Sequence, residues 1–323
     1  MRITNGMMIT NLMQNLNRNM LRLDKTQLQA ATGKRVHLPS DDPVAISRSL
    51  KIRADISELN QYSKNVNDAV SFLETTELAV KNVGDALQRL RELTVQASNG
   101  VLSEDDTRKI KGEVEEIKAQ IISLGNTTYS GKYIFSGKKT DEPLFEFNND
   151  PLVDEYEYNV DLAERKDPAT VDDKMQFEVG VNETIEINTL GLEVFDIIAP
   201  DAAGDREVTD GTEPGIITMI NQVIDNLENG DEAGLTADIE EIDKYLNVNL
   251  TARSEIGGKV NRMELVQNRI ADDKVNFTRL QSQLEDADMA EVYMNLMNEE
   301  NVYRSSLSIG ARIIQPTLID FLR

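Results

Sequence analysis

His37 is the only imidazole in these 323 residues, and no cysteine accompanies it. The missing thiols exclude disulfides, thiolate zinc sites and thiol nucleophiles, and a single ring cannot build a multi-histidine metal centre. A Ser-His-Asp triad would have to be assembled on this one ring, which sits between Val36 and Leu38 in a stretch read as a solvent-facing loop. Ser136-Gly-Lys-Lys-Thr140 has the lysine and hydroxyl of a phosphate loop but lacks the first glycine at the required spacing. The carboxylates occur as adjacent pairs: Asp41/Asp42, Asp105/Asp106, Glu115/Glu116 and Asp272/Asp273. Neighbours on a helix point about 100° apart, a poor geometry for flanking a scissile bond, so caps and solvated faces account for them. No D-x-[DN]-x-[DN]-G calcium loop occurs among the mid-chain acidic residues. The inventory leads to an expectation of no catalytic, cofactor or metal site, and of a protein that is not an enzyme.

Composition narrows the class further. A formal charge of −23 opposes nonspecific association with a polyanion, so nucleic acid is not an expected partner. No run of eighteen apolar residues is present, so no membrane-spanning helix is expected either. Residues 1–20 lack the unbroken apolar core of a secretory signal peptide, which leaves the cytosol or another export route. Forty per cent of the residues are hydrophobic, yet only 5% are aromatic and none is Trp. That balance suits thin helical packing filled by Leu, Ile, Val, Met and Ala.

The elements that would carry these residues follow from periodicity. Ile52, Leu59, Val66, Leu73, Val80 and Leu87 hold one heptad position, with Tyr62, Ala69, Val83 and Leu90 three residues on. Ile110, Val114, Ile117, Ile121 and Leu124 step by four and three, and Leu235, Ile242, Asn249, Ile256, Met263, Ile270, Phe277 and Leu284 keep a single phase. A 3.5-residue period keeps an apolar seam facing partner helices. Ser40, Asp41 or Asp42 before Pro43 predicts a helix start, Gly33 a helix stop, and Asn99-Gly100 the end of a helix over 43–98. Such a helix would extend about 80 Å, a rod. Ser103-Glu-Asp-Asp106 opens the next helix with an acidic first turn. Gly257-Gly258 predicts a bend or joint. Asn249 on the seam either fixes register or lies where the packing opens to solvent.

Between Asp141 and Gly215 the pattern changes. This segment holds 22 acidic and 4 basic residues, and five of the chain's eight prolines. Alternation over Tyr156–Val160, Met175–Val179 and Thr184–Asn188 predicts strands, with Val181-Asn-Glu closing a hairpin. The two ends form a further class. Ile9, Leu16 and Leu23 recur at seven, with Leu12, Met13, Met20 and Leu28 close by, and Met289, Val292, Leu296, Tyr303, Leu307, Ile314 and Leu318 step mostly by three or four. Residues 1–39 carry six basic and one acidic side chain, and residues 281–300 carry six acidic and no basic ones, so the ends suit each other. Neither segment is long enough to be stable alone, and sister copies, rather than the same chain, are expected to supply the missing packing.

Gln29-Ala-Ala-Thr-Gly-Lys-Arg-Val-His-Leu-Pro-Ser-Asp-Asp-Pro43 resembles the N-terminal signature of the bacterial flagellin family, in a spelling similar to its hook-associated branch. Met1-Arg-Ile-Thr4, Gly131-Lys-Tyr-Ile-Phe-Ser-Gly137, Phe177–Asn188 with Val194-Phe195, Ala252–Asn261, Leu284-Glu-Asp-Ala-Asp288 and Leu318–Arg323 extend the resemblance in order along nearly the whole chain. It implies a mainly α fold with an inserted β domain: a coiled-coil end domain built from both termini, a helical rod and a projecting β domain. It also implies a structural subunit of the extracellular flagellum, exported through the flagellar type III system without a cleaved signal peptide. The implied partners are copies of itself in a ring, a hook-associated neighbour on the hook side, flagellin on the filament side, and a cytoplasmic export chaperone at the C-terminal region.

The expected division is 1–42 with 285–323 as the assembly domain, 43–140 with 215–284 as the rod, and 141–214 as the outward-facing acidic domain. Assembly contacts are expected from Ile9, Leu12, Leu16, Leu23, Leu284, Leu296, Leu307, Ile314 and Leu318, with Gly33, Ser40, Asp41, Asp42 and Pro43 as the connector and helix start. The rival readings are a flagellin that forms the filament itself, and an intracellular coiled-coil adaptor whose acidic insert binds a basic partner.

Overall fold

The computed structural model describes residues 5–99, 104–147, 156–159, 174–197 and 213–319. In chain order the elements are α1 (Asn5–Thr32), α2 (Pro43–Ser98), α3 (Glu104–Gly125), β1 (Thr128–Tyr129), β2 (Lys132–Tyr133), β3 (Phe145–Phe147), β4 (Tyr156–Tyr158), β5 (Gln176–Gly180), β6 (Glu183–Glu186), α4 (Gly191–Phe195), α5 (Gly215–Asn229), α6 (Glu232–Glu285) and α7 (Met289–Ile319). The fold is mainly α with small inserted sheets. Packing separates two compact units, residues 1–60 with 272–323 and residues 61–271. The terminal unit therefore takes in the beginning of α2 and the end of α6 as well as the two end helices. The described strands of the acidic insert fall within the second unit together with its helices.

In the second unit the heptads do what their spacing requires. Val66, Ala69, Leu73, Val80, Val83, Leu87 and Leu90 of α2 are buried, as are Leu235, Ile242, Ile256, Met263 and Ile270 of α6. Polar pairs beside the seam show the two helices to be antiparallel. Asn67 accepts from Gln267 at 2.7 Å, Glu77 pairs with Arg253 at 3.0 Å, and Arg91 pairs with Asp243 at 2.6 Å. Helix α3 packs on α5, burying Ile110, Val114, Ile117 and Ile121 beside Ile216, Ile220 and Val223. Helix α6 continues through Gly257-Gly258 without a break in helical structure, so the expected joint is absent there. Two glycines in a long helix weaken it by only about 1 kcal/mol each, which the surrounding packing offsets.

The strands form three two-stranded antiparallel sheets, β1–β2, β3–β4 and β5–β6. Ser130 and Gly131 join β1 to β2 with φ of 53° and 78°, the two positive values that a two-residue hairpin of matching twist demands. The expected hairpin at 181–183 is present, with Val181-Asn182 as its turn and Asn182 at φ 57°. Val160 lies outside the described residues. Beneath the strands Phe135, Phe145, Tyr158 and Phe195 make a buried aromatic cluster, with Phe145 and Phe195 edge to face at 5.1 Å. The mostly aliphatic chain thus concentrates its rings where short strands cannot fill a core by themselves.

Asn249 is buried on the seam and donates its side-chain amide to the Val80 carbonyl at 2.8 Å. The opening to solvent is thereby excluded, and the polar residue is satisfied by the backbone of α2. Gly84 leaves the space for it: a Cβ there would stand 2.6 Å from Asn249 Oδ1. We predict that Gly84→Ala lowers stability by about 1–3 kcal/mol despite the better helix propensity of alanine. In an Asn249→Ala background the same change should instead raise stability, by up to about 1 kcal/mol. Thermal or denaturant unfolding of the four chains checks the reversal of sign.

Candidate assembly interface

The terminal unit is built on a connector, residues 33–42, that ties the start of α7 to the end of α1. Gly33 adopts φ 69° and ends α1, its N–H donating to the Gln29 carbonyl at 2.9 Å. Helix α2 then starts on Asp42, whose Oδ1 accepts from the N–H groups of Val44 (3.1 Å) and Ala45 (2.9 Å), with Pro43 next. Asp41 turns the other way. Its carboxylate accepts from Lys25 at 2.8 Å and from the backbone of Leu38 and His37, and these bonds, the one from Lys25 foremost, hold its pKa down at about 2. Ser40 is exposed, and the cap falls on Asp42. His37 is half-buried, its Nε2 hydrogen-bonded to the Thr32 hydroxyl, and does not face solvent freely.

Opposite the connector lies Leu284-Glu-Asp-Ala-Asp288. Arg35 donates its backbone N–H to the Glu285 carbonyl at 2.6 Å, and Ala287 donates to the Gly33 carbonyl at 2.9 Å, so the two segments run as a short antiparallel ladder. The Glu285 side chain is buried, with only 4% of it exposed. It accepts from Arg53 Nε at 2.7 Å, Lys34 Nζ at 3.0 Å and the Ser49 hydroxyl. These donors, Arg53 first, hold the Glu285 carboxyl far below the usual carboxylate range against the opposing effect of burial. Asp286 accepts from Lys34 at 2.9 Å, and Asp288 caps α7 through the N–H of Ala290 at 2.9 Å. Nothing in the sequence distinguished Glu285 from its acidic neighbours. Only the convergence of α2, the connector and α6 makes it the buried one.

From this tied corner α1 and α7 run side by side. Ile9, Leu12, Leu16 and Leu23 are half-buried where α1 lies against α7, whose Val292 and Gly310 are buried and whose Leu296 and Tyr303 are half-buried. Gly310 permits the approach, since a Cβ there would be 3.2 Å from Leu12 Cδ2. Asn19 donates to the Ser306 hydroxyl at 3.0 Å. The end helices therefore find a partner within one chain, contrary to the expectation that sister copies alone provide it. The ladder between 33–35 and 285–287 places their adjacent ends together, so closing the pair is a local event. Among the described residues no ion pair joins α1 to α7. The basic side chains near the N-terminus act at the corner instead, Lys25 on Asp41 and Lys34 on Glu285 and Asp286.

The remaining expected contact residues are distributed differently. Leu284 is half-buried at the end of α6 and Leu307 is exposed, while the side chains of Ile314 and Leu318 lie outside the described ones. Flanking the covered seam is a wider apolar surface, of which the sequence pattern marks Met13, Met20 and Leu28 beside the α1 heptads. Met7, Met8, Met13, Met20, Leu21 and Leu28 on α1, and Tyr293, Met294, Met297, Val302 and Ile309 on α7, are all exposed. Exposed apolar side chains gathered on two paired helices favour association. The signal was available as composition: eight of the eleven methionines fall in residues 1–32 and 289–319.

Residues 3–140 match the bacterial flagellin N-terminal helical region, and residues 239–322 match the bacterial flagellin C-terminal helical region. The chain is similar to flagellar hook-associated protein 3 of Escherichia coli, 26% identical over 317 residues and 95% of each chain. It is also similar to flagellin of Bacillus subtilis, 28% identical over 296 residues, 90% of this chain and 88% of that one. In fold it resembles the flagellar junction protein FlgL of Legionella pneumophila, with a TM-score of 0.56 at 18% identity over 74% of this chain and all of that one.

The Glu285 site gives a pH dependence of definite sign. A carboxyl whose folded pKa lies below its ordinary value near 4.5 stabilises the fold fully above that pH, and this contribution fades as pH falls further. Glu285→Gln should cost about 1.5–3 kcal/mol at neutral pH and flatten the acid limb below pH 4.5. Hydrogen exchange at the Arg35 and Ala287 amides, whose acceptors belong to this ladder, reads the loss locally.

Proposed function

The chain belongs to the bacterial flagellin family, and we propose that it serves there as a structural junction subunit joining hook to filament by axial self-assembly. The observation that carries this reading is the end-to-end correspondence, 95% of each chain, with a hook-associated protein 3. The terminal unit supports it in physical terms. Two end helices satisfy one seam within the chain and leave a second apolar face in water, as a subunit that stacks against its neighbours requires. The partners follow from the same reading: copies of itself in a ring, a hook-associated protein on one side, flagellin on the other, and an export chaperone at the C-terminal region before passage through the flagellar type III channel. The exposed Asp141, Glu146 and Glu178 of the acidic insert face outward in this arrangement, where mutual repulsion and hydration keep assembled structures soluble. The family is a structural one, and the adaptor reading has no comparable support.

The similarity to a flagellin, 28% identical over 90% of this chain, favours a second reading in which the chain forms the filament itself. A strain lacking the chain separates the two. The junction reading predicts intact hooks, no filaments, and unpolymerised flagellin released into the medium. Bare hooks with no flagellin in the medium would select the filament reading, and normal filaments would contradict both.

A further inference from the structure

Every exposed methionine among the described residues lies on α1 or α7. Met7, Met8, Met13, Met20, Met294 and Met297 are between 44% and 69% exposed, whereas Met219 and Met263 are buried in the second unit. The seam between α1 and α7 is built differently. Its covered positions are Ile9, Leu12, Leu16, Leu23, Val292 and Leu296, with Met289 half-buried at one end. Thioethers therefore flank the contact inside the chain but hardly enter it. A thioether is soft and adaptable as a contact group, and it is also the side chain on this face that takes up oxygen readily.

We propose that this methionine face is a modification site for two-electron oxygen donors, a peroxide or a hypohalous acid, and that its oxidation blocks assembly while leaving the α1–α7 pair intact. The inference rests on the assembly reading given above. In the step a sulfur lone pair attacks the donor's terminal oxygen, an S–O bond forms, and the O–O or O–halogen bond breaks. The thioether is oxidised to a sulfoxide, the donor is reduced, and water or a halide ion with a proton leaves. The product is polar, and a surface that would bury it against a neighbour leaves the S–O dipole without a matched donor. Each sulfoxide buried in a contact should weaken association about tenfold or more. The seam within the chain is aliphatic apart from Met289, half-buried at one end, and is expected to hold.

The full chain, purified and treated with hydrogen peroxide or hypochlorite, tests this in two readouts. Peptide mass mapping should show oxygen added at the six exposed methionines and not at Met219 or Met263. Treated chain added to hook-bearing cells that lack the gene should occupy hook tips at least tenfold less, with amide protection along α1 and α7 unchanged. A variant with the six methionines changed to Leu should occupy hook tips with or without oxidant, and methionine sulfoxide reductases should restore the treated wild type. Equal oxidation of buried and exposed methionines, unchanged occupancy after oxidation, an equal loss in the leucine variant, or collapse of the α1–α7 protection would each overturn the inference alone. Failure of the untreated chain to occupy hook tips would instead remove the assembly reading, and the inference with it.

Discussion

Two helices laid side by side share one contact surface, and apolar residues outside it face water until another chain covers them. The second unit escapes this constraint by adding helices. Its α2 and α6 seam is supplemented by α3, α5 and the aromatic cluster under the strands, and Val66 to Leu90 and Leu235 to Ile270 are buried accordingly. The same two heptads are only half-buried in the terminal unit, at Ile52, Leu59, Phe277 and Leu284. Helices α1 and α7 are poorer still, with a half-covered seam between them and methionine, leucine and isoleucine exposed on its flanks. Complete burial of one such side chain is worth about 1.5–3 kcal/mol, so a face bearing several of them is a substantial driving force for association. A subunit of a stacked assembly has reason to leave that energy unspent in the single chain.

What holds the unsatisfied pair in place is polar. The backbone ladder between 33–35 and 285–287, the buried Glu285 carboxylate with its guanidinium, ammonium, hydroxyl and amide donors, and the Asp42 and Asp288 caps together fix where α1 and α6 end and where α2 and α7 begin. These bonds carry little apolar burial, but they set direction. A charge buried among well-placed donors penalises alternative arrangements more than it raises stability. The corner thus supplies geometry, and in the proposed assembly the apolar faces would supply affinity.

Much of this could be read from local patterns. The start of α2 at Pro43, its end at Ser98, the hairpin around Asn182 and the burial of the heptads through Leu87 and Ile270 follow from caps, turn chemistry and period, all of which act within a few residues. The features that escaped depend on residues far apart in sequence. Glu285 is buried because Ser49, Arg53 and Lys34 converge on it, across more than two hundred residues. Asn249 is satisfied because Gly84 leaves room beside Val80. Gly257-Gly258 reads as a joint by propensity, and the packing of a long helix overrides it. For the end helices the pattern located the seam at Ile9, Leu12, Leu16 and Leu23 but assigned it to sister copies, because hydrophobic period identifies a face and not its partner.

The central claim is that the end helices have one face satisfied within the chain and a second that only neighbouring subunits satisfy. Amide hydrogen exchange along α1 and α7, compared between dilute chain and chain incorporated at the hook tip, addresses it most directly. The account predicts that in dilute chain these amides are protected well below those of 66–90 and 235–270, and that their protection rises on incorporation. Protection in the dilute chain already equal to that of the second unit, unchanged by incorporation, would contradict it.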